Sequence, residues 1–191
     1  MTGALNLLVL EGPAEREWLA EAAGVVTFVT QHEPVIERRA VETLTREALA
    51  ALKQTPADLA LVSMWLAIGN AELAERGDAE VDALLTELIE GVQARGGVAA
   101  LCTLFRHVAG PRAETQELRE RIRVVNLRAR RLSQRTGCFV FDLDRVLSHT
   151  GGASLQADVH GGGGEAVSSM LLDELVVLLP EMLGARPTEA A

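Results

Sequence analysis

Short apolar runs alternate along the chain with longer stretches in which apolar and polar residues are mixed. Five of these runs have the length and continuity of strands that are buried on both faces of a sheet. They occupy residues 5–10, 25–30, 59–68, 98–104 and 139–143. The pattern therefore predicts a β-strand at each of these five positions.

The mixed stretches repeat their apolar residues at helical spacing. They predict helices over residues 14–23, 37–54, 78–95, 111–136 and 165–179. Asp78 is the expected N-cap of the third helix. Pro56 and Pro180 are expected to end the second and the last, because proline cannot donate a backbone hydrogen bond.

Strand and helix thus alternate five times, which predicts the α/β class: a mostly parallel sheet with helices on both faces. Right-handed crossovers would gather the functional loops at the carboxyl ends of the strands. No internal repeat, linker or second domain is visible in the sequence. We therefore expect a single domain over residues 1–184, followed by a flexible C-terminal tail over residues 185–191.

Composition narrows the functional classes. The 191 residues are 48% hydrophobic and 24% charged, which is ordinary for a globular protein. A net charge of −9 and 3% aromatic residues disfavour binding to nucleic acid or to an anionic membrane. The sequence lacks a basic secretory leader and an apolar run long enough to span a membrane, so we expect a cytoplasmic protein.

The sequence gives little indication of a bound cofactor or metal ion. Cys102 and Cys138 lie in or beside apolar runs, where small buried hydrophobes are the expected role. No His, Cys and carboxylate set has metal-ligand spacing, so neither a metal nor a cofactor is expected. A small-molecule or acyl substrate is the expected ligand. A protein partner and self-association both remain open.

Asp158 and His160 carry the sharpest chemical signal, just before a glycine run and the last predicted helix. A carboxylate two residues from an imidazole can orient it as a general base. The alternative is that His160 caps the helix or faces solvent. Asn70, after the third predicted strand, could donate a hydrogen bond to an oxyanion, or could simply form a turn with Gly69. Arg106, after the fourth, could bind a carboxylate or phosphate, or lie in a solvated loop.

Three segments together resemble the SGNH (GDSL-type) hydrolases. They are residues 61–73 with Gly69-Asn70, residues 124–143 with Asn126 and Asp142, and Asp158-Val-His160 with the helix that follows. The likeness spans residues 57–180 in the family's order. It implies a flavodoxin-like three-layer α/β/α sandwich that hydrolyses esters, thioesters or acetyl groups, or transfers acyl groups. It also implies Asp158 and His160 as catalytic residues and Asn70 as an oxyanion ligand.

The first and second blocks depart from the family pattern. The nucleophile turn reads Leu10-Glu11-Gly12-Pro13, and no serine precedes Ser63. Residues 30–34, taken as the second block, contain no glycine for the oxyanion. Without Ser, Thr or Cys at the turn, the ordinary covalent mechanism has no nucleophile.

Three hypotheses follow from this pattern. The protein is an ester or acyl hydrolase or acyltransferase with an altered site, in which Glu11 joins His160 and Asp158, while Gly12, Asn70 and Arg106 bind substrate or oxyanion. Alternatively, it is an inactive binding protein, or an acid/base enzyme of a biosynthetic pathway that uses the Glu, His and Asp side chains. The plain alternative for Glu11 is an acid at a helix start.

Overall fold

A parallel five-stranded sheet forms the centre of the fold. The computed structural model describes residues 5–74, 76–106, 112–149 and 165–184. The strands are β1 (Leu5–Glu11), β2 (Pro34–Ala40), β3 (Leu59–Ser63), β4 (Val98–Cys102) and β5 (Phe139–Phe141). All adjacent pairs are parallel, in the order β2-β1-β3-β4-β5. The prediction of an α/β fold with about five parallel strands is confirmed.

Helices connect the strands and follow the last one. They are α1 (Pro13–Thr30), α2 (Arg46–Leu52), α3 (Leu66–Gly69), α4 (Ala71–Ala74), α5 (Asp78–Gln93), α6 (Arg112–Thr136), α7 (Leu143–His149) and α8 (Glu165–Gly184). A 3-10 turn, Val41–Thr43, follows β2. Among the described residues, no helix has both the length and the apolar character needed to cross a membrane.

The side chains of β1 show how the sheet separates two apolar layers. Leu8 and Leu10 pack with residues of α2, α5 and α6. Leu7 and Val9 point the other way and pack with residues of α1, α7 and α8. Because successive strand residues face opposite sides, one continuous apolar run fills both layers. The result is the predicted three-layer α/β/α sandwich.

The prediction of a strand at residues 25–30 is wrong, because those residues form the last turns of α1. Val26 is buried in the layer that contains α8, and Val25 and Val29 pack beside it. Tertiary contacts with a helical face thus outweigh the strand preference of β-branched residues. The second strand is instead Pro34–Ala40, at the edge of the sheet. Its polar residues made it resemble the start of the helix that was expected over residues 37–54.

Several element ends also differ from the sequence-based expectation. The third strand ends at Ser63 instead of continuing to residue 68, and α3 begins at Leu66. The fifth ends at Phe141, and the unpredicted helix α7 follows. Asp78 is the first residue of α5, and Gly77 occupies the cap position. The two differences at strand ends arise because short apolar runs suit strand and helix equally.

The last helix continues past Pro180, where the sequence predicted its end. Pro180 is exposed, while Leu179 and Met182 on either side of it are buried in the core. Apolar burial beyond the proline compensates for the hydrogen bond that its ring removes.

The strand order places a topological switch point between β1 and β3. The chain passes from β1 outward to β2 and then returns to β3 on the other side of β1. In open parallel sheets, ligands bind at the carboxyl ends of the strands near such a point. Glu11 ends β1 and Ser63 ends β3, so these residues mark the switch point.

Candidate functional site

Glu11 lies at the carboxyl end of β1 and is 7% exposed. Its Oε2 accepts hydrogen bonds from Arg38 Nε at 2.8 Å and from Arg38 Nη2 at 2.5 Å. Arg16 Nε lies 4.0 Å from Oε1 of the same carboxylate. Arg16 in turn pairs with Glu42 at 3.2 Å. We call these four residues the β1–β2 network.

The charge pairs of the β1–β2 network hold the turn after β1 in place. Arg38 also donates from Nη2 to the backbone oxygen of Arg16 at 3.0 Å, which joins β2 to α1. The charge of Glu11 is therefore compensated by a guanidinium group. Gly12, which is also buried, follows Glu11 directly, and α1 begins at Pro13. The structure thus brings Glu11 and Gly12 to the switch point.

Asn70 lies between α3 and α4 and is 1% exposed. Its Nδ2 donates to the backbone oxygens of Val41 at 2.6 Å and of Leu44 at 2.8 Å. Its Oδ1 accepts from the backbone N–H of Leu73 at 3.0 Å. Asn70 therefore ties the segment after β2 to the start of α4. Donation to a substrate oxyanion would require release of one of these two carbonyl groups.

Gly69, before Asn70, is fixed by close packing. The indole ring of Trp65 lies where a Cβ at position 69 would stand. Ser63, at the end of β3, is fully buried, and its hydroxyl accepts a hydrogen bond from the backbone N–H of Trp65 at 3.2 Å. Ser63 is therefore a buried structural residue at the end of β3.

The segment assigned to the second block lies at the wrong edge of the sheet. Residues 31–33 precede β2, so His32 is at the amino end of the strands. The carboxyl end of β2 is Ala40, and the 3-10 turn Val41–Thr43 follows it. Placing a strand at residues 25–30 caused this error. The sequence signal for the true position of the second strand is the short apolar pair Val35-Ile36, which follows the end of α1.

A second polar cluster lies at the carboxyl ends of β4 and β5. Thr103 is fully buried and donates its hydroxyl to Asp142 Oδ1 at 3.0 Å. The same hydroxyl oxygen accepts from the backbone N–H of Asp144 at 3.3 Å. Arg130 of α6 donates to Asp142 Oδ2 at 3.0 Å. These bonds fix the exit of β5 against β4 and α6.

Asn126 holds the exit of β4 in a similar way. Its Oδ1 accepts from the backbone N–H of Leu104 at 2.8 Å, and its Nδ2 donates to the oxygen of Leu104 at 2.7 Å. Both bonds are buried, so this amide replaces a strand neighbour for Leu104. Arg106 follows two residues later, and its position therefore depends on α6.

Arg106 borders an open cleft of about 340 Å³. We call it the arginine cleft, and it is lined by Arg106, Arg130, Asp144, Arg145 and Ser148. The backbone N–H of Arg106 donates to Asp144 Oδ1 at 3.1 Å. The sequence indicated Arg106 and missed the other lining residues, because Arg130 lies in a helix that reads as a solvated face and α7 was not predicted.

Asp158 and His160 lie outside the described residues. Their expected pairing, and their expected approach to Glu11, therefore remain predictions. Of the six candidate site residues, the structure describes Glu11, Gly12, Asn70 and Arg106. Glu11 and Gly12 lie at the end of β1, whereas Arg106 lies in the loop after β4.

The described part of the chain offers neither a metal cluster nor an evident thiol nucleophile. No group of three His, Cys, Asp or Glu side chains within it could hold a metal ion. Cys102 and Cys138 are buried and unbridged, as the sequence predicted. Burial raises the pKa of the Cys138 thiol, against a smaller lowering by its hydrogen bond with Thr136. This thiol is therefore a poor nucleophile near neutral pH.

Comparison with known proteins identifies the fold. No protein-family model and no curated protein matches the sequence. Among solved structures, the acetylxylan esterase Axe2 from Geobacillus stearothermophilus has a TM-score of 0.65 at 13% identity, over 95% of this chain and 94% of that one. The psychrotrophic esterase EstA from Pseudoalteromonas sp. has a TM-score of 0.58 at 14% identity, over 94% and 98% of the two chains.

A further match is a member of the lipolytic G-D-S-L family from Veillonella parvula. Its TM-score is 0.61 at 10% identity, over 93% of this chain and 99% of that one. Each match extends over almost the full length of both chains. The protein therefore has the flavodoxin-like α/β fold of the SGNH hydrolases.

Proposed function

We propose that this protein is a hydrolase or acyltransferase that acts on a small acyl ester through an altered SGNH-type site. The observation that carries the proposal is the fold match to esterases over almost the whole chain. Gly12 supports it, because it directly follows the end of β1, at the switch point where ligands of open α/β sheets bind. Cytoplasmic action on a small-molecule substrate is part of the same proposal.

The proposed chemistry uses water in place of a side-chain nucleophile. The first turn has Glu11, Gly12 and Pro13 and therefore no hydroxyl or thiol group. His160, oriented by Asp158, would take a proton from water while the water oxygen bonds to the ester carbonyl carbon. The carbon–oxygen bond to the leaving group then breaks, and His160 returns the proton to the departing alkoxide. Gly12 is the proposed oxyanion ligand, and Asn70 would join it only after its Nδ2 released the backbone oxygen of Val41 or Leu44.

Glu11 takes a positioning role in this proposal. Its carboxylate is nearly buried and accepts two hydrogen bonds from Arg38, so it is held inside the β1–β2 network. By fixing Arg38 against the backbone of Arg16, it holds the first turn and Gly12 in place.

A second candidate function is ligand binding without turnover. The observation that favours it is the β1–β2 network. The ion pair between Glu11 and Arg38 occupies the end of β1, where the resemblance implies a nucleophile. A binding protein needs no proton transfer at Glu11 and no reactive His160.

Hydrolysis of a panel of short acyl esters and thioesters tests the two candidates. The proteins compared are wild type, His160→Ala, Asp158→Asn and His32→Ala. His32 is the matched control, because it is exposed and lies at the opposite edge of the sheet. We expect His160→Ala to lower kcat/KM by at least roughly a hundredfold, as for loss of a general base. His32→Ala should match wild type.

Two results would refute the catalytic proposal for these substrates. One is the absence of turnover above the buffer rate, and the other is equal turnover in wild type and His160→Ala. In either case, saturable binding of the same esters, followed by NMR line broadening, would support the binding function.

A further inference from the structure

Three guanidinium groups from three elements converge on the arginine cleft. Arg106 comes from the loop after β4, Arg130 from α6 and Arg145 from α7. Their side chains are 57%, 59% and 59% exposed. Like charges gathered at one small opening repel each other, so an arrangement of this kind favours an anion between them.

Each of the three arginines forms an ion pair with a carboxylate side chain that is less exposed than the arginine. Arg130 Nη2 pairs with Asp142 at 3.0 Å and Arg145 Nη2 with Glu174 at 2.8 Å. Arg106 Nε lies 3.6 Å from Asp144. The side chains of Asp142, Asp144 and Glu174 are only 17%, 18% and 21% exposed. Asp142 and Glu174 lie behind the arginines, whereas Asp144 lines the cleft with them. Three arginines and one aspartate leave the lining with an excess of two positive charges, so it still favours an anion.

Within the described residues, each of these ion pairs engages one nitrogen of a guanidinium group whose side chain is more than half exposed. A guanidinium group has five N–H donors, and the pair with Asp142 uses Nη2 of Arg130 while that with Glu174 uses Nη2 of Arg145. Planar guanidinium groups bind carboxylates and phosphates through two parallel hydrogen bonds. Ser148 adds a hydroxyl to the cleft wall.

We infer that the arginine cleft binds the anionic group, a carboxylate or a phosphate, of a small molecule. The inference deepens the proposed function and rests on it for the rest of the ligand, since the substrate would then be an acyl ester that also carries this anionic group. Binding of the anion itself requires no turnover.

The cleft also fits a small anion better than a polyanion. Its volume of about 340 Å³ accommodates one such group, and the whole chain carries a net charge of −9. That net charge opposes long-range attraction of nucleic acid, whereas the local arginines act only over a few ångströms at physiological salt.

Titration with inorganic phosphate and with succinate, followed by NMR chemical shifts, tests the cleft. The variants are Arg130→Gln and Arg145→Gln. Arg123→Gln is the matched control, because Arg123 lies two turns before Arg130 on α6, is 64% exposed and pairs with Glu120 at 3.4 Å. We expect each cleft variant to raise Kd roughly tenfold, as for loss of a hydrogen bond to a charged group. Arg123→Gln should bind like wild type.

Equal affinity in all four proteins, or no saturable shift with either anion, would overturn the inference. Circular dichroism of each variant establishes that the fold is retained. The anion that binds more tightly identifies carboxylate or phosphate as the preferred group.

A pair of esters separates this inference from the proposed function. The two substrates share one acyl ester, and one of them carries an added carboxylate. If the anions bind but neither ester is hydrolysed, the inference of anion binding stands and the proposed esterase activity is rejected. Hydrolysis of both with equal KM, and without anion binding, would sustain the esterase and reject the cleft. When both hold, the KM for the carboxylate-bearing ester alone should rise in Arg130→Gln.

Discussion

The two ends of the sheet's carboxyl-terminal edge use the same arginine–carboxylate pairs in opposite ways. In the β1–β2 network, the side chain of Glu11 is 10% exposed and that of Arg38 is 38% exposed. In the arginine cleft, the three arginine side chains are more than half exposed. The first arrangement is closed, and the second is open to solvent.

Burial explains the difference in consequence. A nearly buried carboxylate has lost most of its hydration, so its partner must remain in place. An exposed guanidinium group keeps most of its hydration and gains little from its ion pair, so a ligand can compete for it. The β1–β2 network therefore stabilises the fold, whereas the cleft is suited to binding.

Asn70→Ala should produce the largest loss of stability at the β1–β2 end. The substitution removes three buried hydrogen bonds and leaves the oxygens of Val41 and Leu44 without this donor. We expect the free energy of unfolding to fall by about 3 kcal/mol. Urea denaturation measures it.

Asn6→Ala is the control for this substitution, since the side-chain amide of Asn6 makes one bond within the described part of the chain, a longer one of 3.3 Å to Asp58. It should cost less than about 1 kcal/mol. Equal losses in the two variants would contradict the clamping role of Asn70.

Arg38→Met should come next, because among the described residues it leaves the nearly buried carboxylate of Glu11 with Arg16, at 4.0 Å, as its remaining cationic partner. We expect a loss of roughly 2 kcal/mol, reduced from the fully buried case by the partial exposure of Arg38. Adding Glu11→Leu should recover most of it, because the unpaired charge is then gone. The readout is the thermal unfolding midpoint.

The adjacent variant Arg39→Met controls for removal of a β2 arginine, since Arg39 is 55% exposed and pairs only with Glu37 among the contacts described here. It should stay close to wild type. A double variant no more stable than Arg38→Met would show that the network is not what closes this end.

Asp142→Asn tests a carboxylate that holds the exit of β5 and also pairs with Arg130 of the arginine cleft. Asp142 accepts bonds from Thr103, Arg130 and the backbone N–H of Arg145. The amide keeps one acceptor and loses the charge, so we expect a loss of about 1 kcal/mol. Phosphate affinity should rise, because Arg130 is released toward the cleft. A lower phosphate affinity in the same NMR titration would contradict this expectation, because it would mean that the Asp142 carboxylate contributes to ligand binding.

Arg130→Gln should have the smallest effect on stability, within about 0.5 kcal/mol, as is usual for an exposed ion pair. The same substitution should still weaken anion binding. Guanidinium denaturation and the anion titration, made on one preparation, separate the two effects. A loss of stability as large as that of Arg38→Met would make the two ends of the sheet equivalent.

The elements that the sequence predicted correctly are those with strong periodic patterns. The stripe from Val81 to Val92 specified α5, and the long amphipathic stretch before Gly137 specified α6. The edge strand β2 was missed, because Glu37, Arg38 and Arg39 interrupt any strand pattern there. The helix α7 was missed because a short apolar stretch after Phe141 reads as more strand.

The candidate site was predictable in part for the same reason. Sequence position placed Glu11 and Arg106 at strand ends, which the structure bears out. It could not reveal that Arg38 pairs with Glu11, because the pair depends on the alignment of β1 with β2. Val9 lies beside Arg38 in that register, so a strand placed at residues 25–30 offers no such partner.

The alternation of apolar runs and helical stripes by itself determined the α/β class and the three layers, because burying those residues leaves few other arrangements. Tertiary structure alone decided which ion-paired arginines are largely covered, such as Arg38, and which keep more than half of the side chain exposed, such as Arg130. An ion pair joins residues far apart in sequence, and its strength depends on how much water the surrounding fold removes. Local sequence does not contain that information, so Arg38 and Arg130 look alike until the chain is folded.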